Sequence, residues 1–569
     1  MRYGKRAGCI GLVLLLICIY LAGCNSPANR VLVSQEEYDR QMQEAKTTPF
    51  GAYPETITYT LGKMTSTNRS NMPQGDTYED NAYTRYIKSV INVQNEDVFE
   101  EIDGQYDTNV SMAIAMDNLP DIMLVSNYED LQTLVENDMI EDLTASYNHC
   151  MSDRIKEMYD SYGNSLMDSV TFEGKIMAFP ETNITDGPNL VWLRKDWMER
   201  LGLSEPKTID DVIEIVRQFI TKDPGENGEG NTVGLVCDTQ ISGECGYSSE
   251  YLLDLLFAGY DAYPKQWIYN EENEVVYGSV TEQAKEALGA ARQLYEEKII
   301  DTDFLIRTNA NIIELIEQGK CGSFFGPWWA ANNPLAAAVN TAAQTGETAD
   351  WQPYLIATNH TGVTSYHSQN PAYKYVVVRK GYEYPEIAAK MISIMFDKIR
   401  YECSDSEQFA EYYQLNVEPT ARPLAINVDY NNALDLCYQE ISAVLAGEKS
   451  EDSLKLLEKS YYQACKAYLD NPKEATADQW AAYASRIKAC SAISEGEIYV
   501  VPSLFFGTTK TMQSEWWKLQ EKEKEVYLKI ICGEEPLEYF DTFTAYWYEN
   551  GGTQITMEVE EKVTEKSER

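Results

Sequence analysis

The stretch NIIELIEQGKCGSFFGPWW, residues 311–329, reads as a helix, a short strand and a turn that leads directly into two tryptophans. The isoleucines and the leucine between positions 312 and 316 give one apolar helical face, and Gly319 lies where such a helix ends. Cys321–Phe325 is short, small and aromatic, as is typical of a buried strand. Gly326 and Pro327 then predict a turn.

The two adjacent tryptophans after this turn, Trp328 and Trp329, have two interpretations. An indole has an apolar face and an N–H donor, so it suits the wall of a ligand site that is partly apolar and partly wet. Alternatively, one or both pack between helices, as most aromatic side chains do. Neighbours in an extended segment point in opposite directions, so one indole can line a site while the other packs behind it.

The composition indicates a large, acidic globular protein. A chain of 569 residues with 44% hydrophobic residues is long enough for several domains. Its formal net charge is -43 and its pI is about 4.4. Such a charge excludes nucleic acid as a partner, because binding to phosphate backbones needs a basic surface. It also argues against a face that binds anionic lipid.

The N-terminus has the pattern of a secreted lipoprotein. Arg2, Lys5 and Arg6 precede the apolar run Ala7–Tyr20, which ends in the sequence LAGC at Cys24. This ending resembles the lipobox of bacterial lipoproteins, in which the cysteine carries the lipid. The run is too short for an ordinary membrane-spanning helix. We therefore expect residues 1–23 to be a signal peptide and Cys24 to carry a diacyl anchor.

The cysteines show no disulfide or zinc pattern. Nine of the twelve follow Cys24, and an odd number cannot all pair. No CxxC motif or Cys/His zinc spacing occurs, and the chain has only three histidines. We interpret most of these cysteines as buried small hydrophobic residues.

Strand and helix patterns alternate through the first 200 residues, which predicts an α/β fold with a mainly parallel sheet and helices on both faces. Thr208 with Asp211 forms a capping box for a helix after this region. From Leu434 the pattern is helical for long stretches. The predicted strands are 56–61, 120–125, 174–180, 190–193 and 373–378, and the predicted helices among them are 81–91, 110–116 and 128–137.

Four motifs occur in an order and at spacings that resemble a known family. They are LPDIM at 119–123, GKIMAFP at 174–180, VWLRKDWMERLGL at 191–203 and GKCGSFFGPWW at 319–329. The family is that of the extracellular solute-binding lipoproteins that serve ABC transporters for sugars and oligosaccharides. The larger members, which are LplA- and LipO-like, also resemble this chain at its C-terminal segment 529–559. The resemblance covers essentially the whole mature chain.

This resemblance implies a type II periplasmic-binding-protein fold, in which two α/β lobes face each other around a hinge and cleft. A ligand binds in the cleft and the lobes close on it. The implied crossings between lobes follow Pro180, precede the strand at 373–378 and fall at 422–429. The implied division is a signal peptide (1–23), a lipid-anchored tether (24–54), lobe 1 (55–185 and 372–425), lobe 2 (186–371 and 426–559) and a charged tail (560–569).

The resemblance also implies ligand-binding residues. The Gly-Pro-Trp turn is similar to the one that presents a sugar-stacking tryptophan in maltodextrin-binding proteins, which assigns that role to Trp328 and makes Trp329 a second candidate. The loop that the family uses for sugar hydroxyls contains Asn127 with Tyr128, and the loop in which the family places an acidic ligand contact contains Asp186 with Asn189. For each polar residue the alternative is a helix cap or a turn former.

A possible calcium loop lies at DPGENGEGN, residues 223–231. It resembles the calcium loop of some alginate-binding members, in which oxygen ligands alternate around a glycine turn. Asp223, Asn227 and Asn231 fit the ligand positions. Gly225 and Thr232 stand where ligands are expected, which lowers the affinity for calcium. The alternative is a plain helix-to-strand turn, and no cofactor is required by this interpretation.

The sequence therefore predicts a monomeric binding protein, anchored through Cys24 on the extracellular face of a Gram-positive cell membrane. Its predicted partners are a carbohydrate ligand and the permease subunits of an ABC transporter. A second hypothesis is a cell-surface glycan-degrading enzyme, which needs two carboxylates at a defined separation; no HExxH motif or nucleophile elbow occurs. A receptor for a peptide or another polar solute is also compatible with the sequence. The hinge-type α/β organisation and the tryptophan pair argue against a third hypothesis, an adhesin or structural lipoprotein.

Overall fold

A computed structural model describes residues 34–243, 250–358, 362–403 and 406–567. The predicted signal peptide, Cys24 and Cys245 lie outside the described residues. Hydrophobic cores divide the described chain into two lobes, with one core in lobe 1, against which Leu456 of lobe 2 also packs, and two main cores in lobe 2. Lobe 1 comprises residues 35–182 and 372–428, lobe 2 comprises 190–367 and 432–567, and the short connections 183–189, 368–371 and 429–431 form the hinge.

The strands form one larger sheet in lobe 1, one smaller sheet in lobe 2, and several two-stranded pairs. In chain order they are β1 (Ile57–Thr65), β2 (Val93–Ile102), β3 (Ile122–Val125), β4 (Thr171–Phe172), β5 (Lys175–Ile176), β6 (Phe179–Thr182), β7 (Leu190–Arg194), β8 (Trp267–Tyr269), β9 (Val275–Tyr277), β10 (Ser323–Gly326), β11 (Trp351–Tyr354), β12 (Thr364–His367), β13 (Ala372–Val378) and β14 (Ile498–Val501).

Helices surround both sheets. In lobe 1 they are Gln35–Thr47, Ala82–Ile91, Asp103–Ala115, Tyr128–Glu136, Thr144–Cys150, Asp153–Asp160, Asn164–Asp168, Glu386–Ser393, Ile399–Glu402 and Glu407–Gln414. In lobe 2 they are Lys195–Leu201, Ile209–Lys222, Asp254–Ala258, Glu282–Glu296, Asn309–Glu317, Leu335–Thr345, Ala433–Leu445, Leu456–Asp470, Ala477–Tyr483, Cys490–Ser494, Met512–Ile531, Tyr539–Trp547 and Thr553–Ser567. No helix in the described ranges has both the length and the apolar character to cross a membrane.

The lobe 1 sheet has the order β2-β1-β3-β13-β6. β1 pairs in parallel with β2 and with β3, whereas β13 runs antiparallel to β3 and β6. Tyr375 and the three valines that follow it in β13 are all buried, because helices cover both faces of the central strands. The predicted strands at 56–61, 120–125 and 373–378 are confirmed, and the parallel pairing holds for β1, β2 and β3.

Lobe 2 differs from the parallel arrangement that the alternating pattern predicts. Its sheet has the order β10-β7-β11, and both pairs are antiparallel. The predicted strand at Cys321–Phe325 is present as β10. Helices lie between the strands of this sheet, so its neighbouring strands come from distant parts of the sequence. Further long helices late in the chain complete the lobe.

The N-terminal helix Gln35–Thr47 packs on lobe 1, although the sequence placed it in the tether. Ala45 has no exposed surface, and the ammonium group of Lys390 donates to the carbonyl oxygens of Ala45, Thr48 and Gly51 at 2.6–2.9 Å. At the other end of the chain, residues of the predicted charged tail continue the helix Thr553–Ser567.

Hydrogen bonds join the hinge segments to one another. The amide of Thr182 donates to the carbonyl of Asn427 at 2.9 Å, and the amide of Asn183 donates to the carbonyl of Pro371 at 2.9 Å. All three crossings therefore lie side by side at one edge of the lobe 1 sheet. A change of backbone dihedrals there would rotate one lobe against the other.

The described cysteines are all free thiols, which agrees with the sequence interpretation. Six of these eight are buried, and Cys403 and Cys532 are half-buried. Burial raises the pKa of Cys321 and of Cys490 to about 12. Thiols with such pKa values remain protonated at neutral pH, so they pack as small apolar groups.

Candidate functional site

Two adjoining cavities lie where the two lobes meet. One has a volume of about 620 Å³ and includes Trp267 and Trp516 in its wall, and we call it the tryptophan chamber. The other has a volume of about 700 Å³ and includes Tyr128, and we call it the tyrosine chamber. Asn370 and the segment 505–507 line both chambers. Each volume falls in the range of roughly 300–1,000 Å³ that is usual for ligand pockets.

Aromatic rings form one wall of the tryptophan chamber. The ring of Trp516 lies 6.2 Å from that of Trp267 in a nearly parallel arrangement, and 5.1 Å from that of Tyr277 edge to face. The carboxylate of Glu523 accepts a hydrogen bond from the Tyr277 hydroxyl at 3.1 Å, which fixes this ring. Tyr373, at the start of β13, contributes from lobe 1 and is 42% exposed. Trp267 and Tyr277 are buried behind this wall, whereas the partly exposed rings of Trp516 and Tyr373 can stack on the apolar face of a ligand.

Polar groups complete the tryptophan chamber. They supply hydrogen-bond donors and acceptors beside the rings, as a ligand that carries many hydroxyl groups requires. Burial raises the pKa of Glu250 to about 7. The polar residues in the wall are Asp238, Gln240, Ser242, Glu250, Lys265, Asn309, Asn370 and Gln520.

The tyrosine chamber has one wall from each lobe. In lobe 1 the ring of Tyr128 stacks on Phe172 at 6.4 Å and meets Tyr375 edge to face at 6.0 Å. Burial raises the pKa of Tyr128. Gly507 of lobe 2 lies opposite, and a Cβ at this position would be 3.5 Å from Cε1 of Tyr128. The two lobes therefore approach to van der Waals distance at this point.

A larger cavity, of about 970 Å³, lies entirely on lobe 2. It runs between the helices Ile209–Lys222 and Glu282–Glu296, and Tyr260 is the aromatic residue in its wall. Closure of two lobes cannot enclose a ligand in a groove that belongs to one of them. The two chambers at the lobe junction are therefore the better candidate site.

Trp328 and Asp186, predicted as ligand contacts, lie against each other. The indole N–H of Trp328 donates to Oδ1 of Asp186 at 2.9 Å, and the guanidinium of Arg486 lies 4.3 Å from the Trp328 ring. Trp328 is 7% exposed and Asp186 is 4% exposed. This pair joins the hinge to the core of lobe 2. Contact between a ligand and either residue stays a prediction.

The other predicted contacts have different surroundings. Tyr128 lines the tyrosine chamber, whereas Asn127 caps the helix Tyr128–Glu136: its side-chain oxygen accepts from the amide of Asp130 at 2.7 Å. This capping role is the alternative that the sequence left open. Trp329 and Asn189 are half-buried, and Trp329 packs against the core of lobe 2. Ligand binding by Asn127, Trp329 and Asn189 stays a prediction.

The possible calcium loop is closed by its own hydrogen bonds. Oδ1 of Asp223 accepts from the amide of Asn227 and the hydroxyl of Thr232, and Oδ2 accepts from the amide of Gly228. Burial alone would raise the pKa of Asp223, but these hydrogen bonds lower it. The side-chain nitrogen of Asn231 donates to the carbonyl of Asn227 at 3.0 Å. The loop is thus an Asx-type turn at the end of a helix.

This donor set does not fit a calcium ion well, because calcium takes six to eight oxygen ligands, usually with several carboxylates. Asp223 is the one carboxylate among the predicted ligands, and both of its oxygens already accept hydrogen bonds. Within the described ranges, no group of three or more His, Cys, Asp or Glu side chains is placed to hold a metal ion.

Sequence reasoning missed the aromatic wall of the tryptophan chamber. One signal was present: Trp516 and Trp517 are a second pair of adjacent tryptophans. The structure places Trp516 in the wall and leaves Trp517 63% exposed. The run SLFFG at 503–507, which follows Pro502, is another aromatic segment beside a turn residue. Its rings are half-buried at the lobe junction.

Comparison with known proteins identifies relatives of this chain. It is 22% identical over 246 residues to the polygalacturonan/rhamnogalacturonan-binding protein YtcQ of Bacillus subtilis, which covers 42% of this chain and 46% of YtcQ. It is 27% identical over 169 residues to the fructooligosaccharide ABC transporter substrate-binding protein FusA of Streptococcus pneumoniae, which covers 28% of this chain and 30% of FusA. The matched segments thus span less than half the length of these curated relatives.

Solved structures show the same fold over nearly the whole chain. FusA of S. pneumoniae in complex with kestose superposes with a TM-score of 0.58, at 15% identity, and the match covers 90% of this chain and 99% of FusA. The family model described as bacterial extracellular solute-binding protein matches residues 70–398, which is more than half of the chain. With two α/β lobes, a hinge of three crossings and chambers where the lobes meet, the chain belongs to the bacterial extracellular solute-binding proteins.

Proposed function

We propose that this chain is a lipid-anchored substrate-binding protein that captures an oligosaccharide in the two chambers and delivers it to the permease of an ABC transporter. Membership of the solute-binding family supports the binding role. The names of YtcQ and FusA support a carbohydrate ligand. These two names leave the class of carbohydrate open, because polygalacturonan is acidic and fructooligosaccharides are neutral.

The observation that carries this proposal is the pairing of ring faces with amide, hydroxyl and carboxylate groups at the lobe junction. Trp516 and Tyr373 present partly exposed rings from lobe 2 and lobe 1, respectively. Sugars have apolar ring faces edged by hydroxyl groups, so they match such a wall. Two adjoining chambers suit a ligand of more than one sugar ring.

Delivery to a permease fits the two-lobed architecture. In this proposal the ligand bridges both walls and holds the lobes together, and a permease recognises the closed form. Cys24 carries the anchor that keeps the receptor, acting as a monomer, at the extracellular face of the membrane. A Cys24→Ser chain should then appear in the culture medium rather than in the membrane fraction.

The proposal includes binding without catalysis. Glu250 has a raised pKa of about 7, which is a property that a glycosidase acid also has. Incubation of the chain with each bound oligosaccharide, followed by chromatography of the sugars, separates the two functions. We expect the oligosaccharide to be recovered intact. Shortened products that disappear in a Glu250→Gln variant would assign a hydrolase.

The test of binding uses two neighbouring tryptophans. The full chain, purified in a detergent without a sugar headgroup, is titrated calorimetrically with a panel of oligosaccharides. We expect Trp516→Ala to weaken binding by ~10-fold, because it removes a stacking face worth about 1.4 kcal/mol. Trp517→Ala is the matched control: this ring is 63% exposed, and its loss should leave the affinity unchanged.

The melting temperature of each variant accompanies the titration, so that loss of fold is separated from loss of binding. Equal affinities for the Trp516 and Trp517 variants would place the ligand outside the tryptophan chamber. No binding to any oligosaccharide on a broad panel would contradict the carbohydrate assignment and favour a peptide or another polar solute.

A further inference from the structure

The charged residues that line the two chambers are mostly acidic. In the tryptophan chamber Asp238 and Glu250 face a single lysine, Lys265. In the tyrosine chamber five acidic side chains accompany two lysines, Lys175 and Lys562. Among the described residues that line either chamber there is no arginine. A carboxylate ligand would therefore enter a space whose lining carries mostly negative charge, the same sign as its own.

The three lysines offset only part of this excess, because seven acidic side chains line the two chambers. Nζ of Lys562 is paired with Glu565 at 3.2 Å, and the Lys175 side chain is exposed to solvent. Nζ of Lys265 lies 3.5 Å from Oε1 of Gln240. Recognition of a carboxylate usually relies on the planar fork of arginine, which donates two parallel hydrogen bonds. The described part of the lining has no such group.

The acidic groups instead suit hydroxyl donors. Oδ1 of Asp238 accepts a hydrogen bond from the amide of Gln240 at 2.8 Å, so this carboxylate is held in place beside the chamber. Glu250 is half-buried in the same wall. A fixed carboxylate accepts hydrogen bonds from sugar hydroxyls and repels a second carboxylate.

We propose that the two chambers select uncharged oligosaccharides and reject oligosaccharides that carry carboxylates, such as oligogalacturonides. This inference rests on the proposed function. It names the ligand class that the similar proteins leave open. The specificity comes from repulsion as well as attraction, because the acidic wall disfavours the charged competitor.

The experiment compares each acidic oligosaccharide with its own carboxyl-reduced form, which has the same linkages and length but no charge. The probes are oligogalacturonides and oligoalginates, each before and after reduction, together with neutral fructo-, xylo- and gluco-oligosaccharides. Calorimetric titration of the full chain gives the affinities. We expect at least one uncharged oligosaccharide to bind. For each pair of which either member binds, the acidic form should bind at least ~10-fold more weakly than its reduced partner.

A charge-removing variant tests the origin of this discrimination. The titrations with this variant are run at about pH 9, because burial raises the pKa of Glu250 to about 7 and the side chain is fully charged only above that value. Under these conditions Glu250→Gln keeps the size and polarity of the side chain and removes one negative charge from the wall. It should raise the affinity for an acidic form relative to its reduced partner by ~10-fold. Glu314→Gln is the control, because Glu314 is an exposed acid on another helix of lobe 2, and its loss should leave the ratio unchanged.

The outcomes separate this inference from the proposed function. Acidic oligosaccharides that bind as tightly as their reduced partners, or more tightly, would overturn the inference while the receptor role stands. An unchanged ratio in Glu250→Gln would show that this wall does not set the specificity. A panel on which neither charged nor uncharged sugars bind would contradict the proposed function, and the inference would fall with it.

Discussion

Lys63 is a buried lysine in β1, the strand next to the edge strand β2 of the lobe 1 sheet. Its side chain is fully buried in β1, and its ammonium group donates to the carbonyl oxygens of Thr420 and Arg422 at 2.6 Å each. Burial lowers the pKa of Lys63 to about 7, against the opposing effect of Asp97 and Glu100. The residue thus ties the first strand of lobe 1 to a segment about 360 positions later.

Replacement of Lys63 by methionine, which has a similar shape, should lower the free energy of unfolding by about 2–4 kcal/mol. The two carbonyl groups would lose their donor while staying buried. Denaturant unfolding measures the change, and Lys88→Met, at an exposed lysine on the helix Ala82–Ile91, is the control. A loss below about 0.5 kcal/mol would show that these carbonyls find other donors.

At the scale of single residues, the sequence predicted some neighbours of the hinge and missed the aromatic wall. The Gly-Pro-Trp motif pointed to Trp328, and the structure joins this residue to Asp186. Trp516 could not be chosen over Trp517 from sequence, because a helix turns by about 100° per residue and either ring could face inward. Its ring partner Trp267 is about 250 positions away, so no local pattern reveals the contact.

At the scale of elements, local patterns predicted most of the lobe 1 sheet but not β2. Its sequence, VQNEDVFEEI, is rich in acidic residues, which are usually depleted in strands. The strand forms because it pairs in parallel with β1 from Ile57↔Val93 onward at the edge of the sheet. Edge strands tolerate charged side chains on their open faces. A pairing partner supplied by the fold therefore overrides a weak local preference.

The N-terminal helix Gln35–Thr47 leads to a prediction at the scale of elements. Lys390 caps its C-terminal end by donating to three carbonyl oxygens, and burial lowers the pKa of Lys390 to about 8. Lys390→Met should release this helix, so that its amide hydrogens exchange faster while ligand affinity changes less than ~2-fold. Lys380→Met, at an exposed lysine, is the control. Unchanged exchange would mean that packing of Ala45 alone holds the helix.

The loop at 223–231 leads to another prediction at the scale of elements. Because Asp223 already closes the loop with three hydrogen bonds, we propose that the fold does not need calcium. The melting temperature of the full chain should agree within about 1 °C in excess EDTA and in excess Ca²⁺. A rise of more than about 4 °C with Ca²⁺, abolished in Asp223→Asn, would instead establish a bound ion at this loop.

At the scale of the whole molecule, the order of the sequence motifs predicted the two-lobed fold better than any single pattern did. Strand and helix periodicity alone favoured a mainly parallel sheet, whereas the lobe 2 sheet is antiparallel. Periodicity specifies which residues face inward, but it does not specify the direction in which distant strands pair. The site depends on this long-range assembly, since its walls come from both lobes and include the segment 504–508 of lobe 2.

The two-lobed arrangement has a consequence for ligand binding. A ligand that bridges Tyr128 of lobe 1 and Trp267 of lobe 2 should protect both lobes at once from hydrogen exchange, because it stabilises the closed form.

Hydrogen exchange of the full chain, measured with and without a neutral oligosaccharide that binds, tests capture between the lobes most directly. Exchange should slow at residues 126–132 and 171–176 of lobe 1. It should slow in parallel at residues 264–267 and 503–508 of lobe 2. Slowing confined to one lobe, or centred on the lobe 2 groove beside Tyr260, would contradict capture of the ligand where the lobes meet.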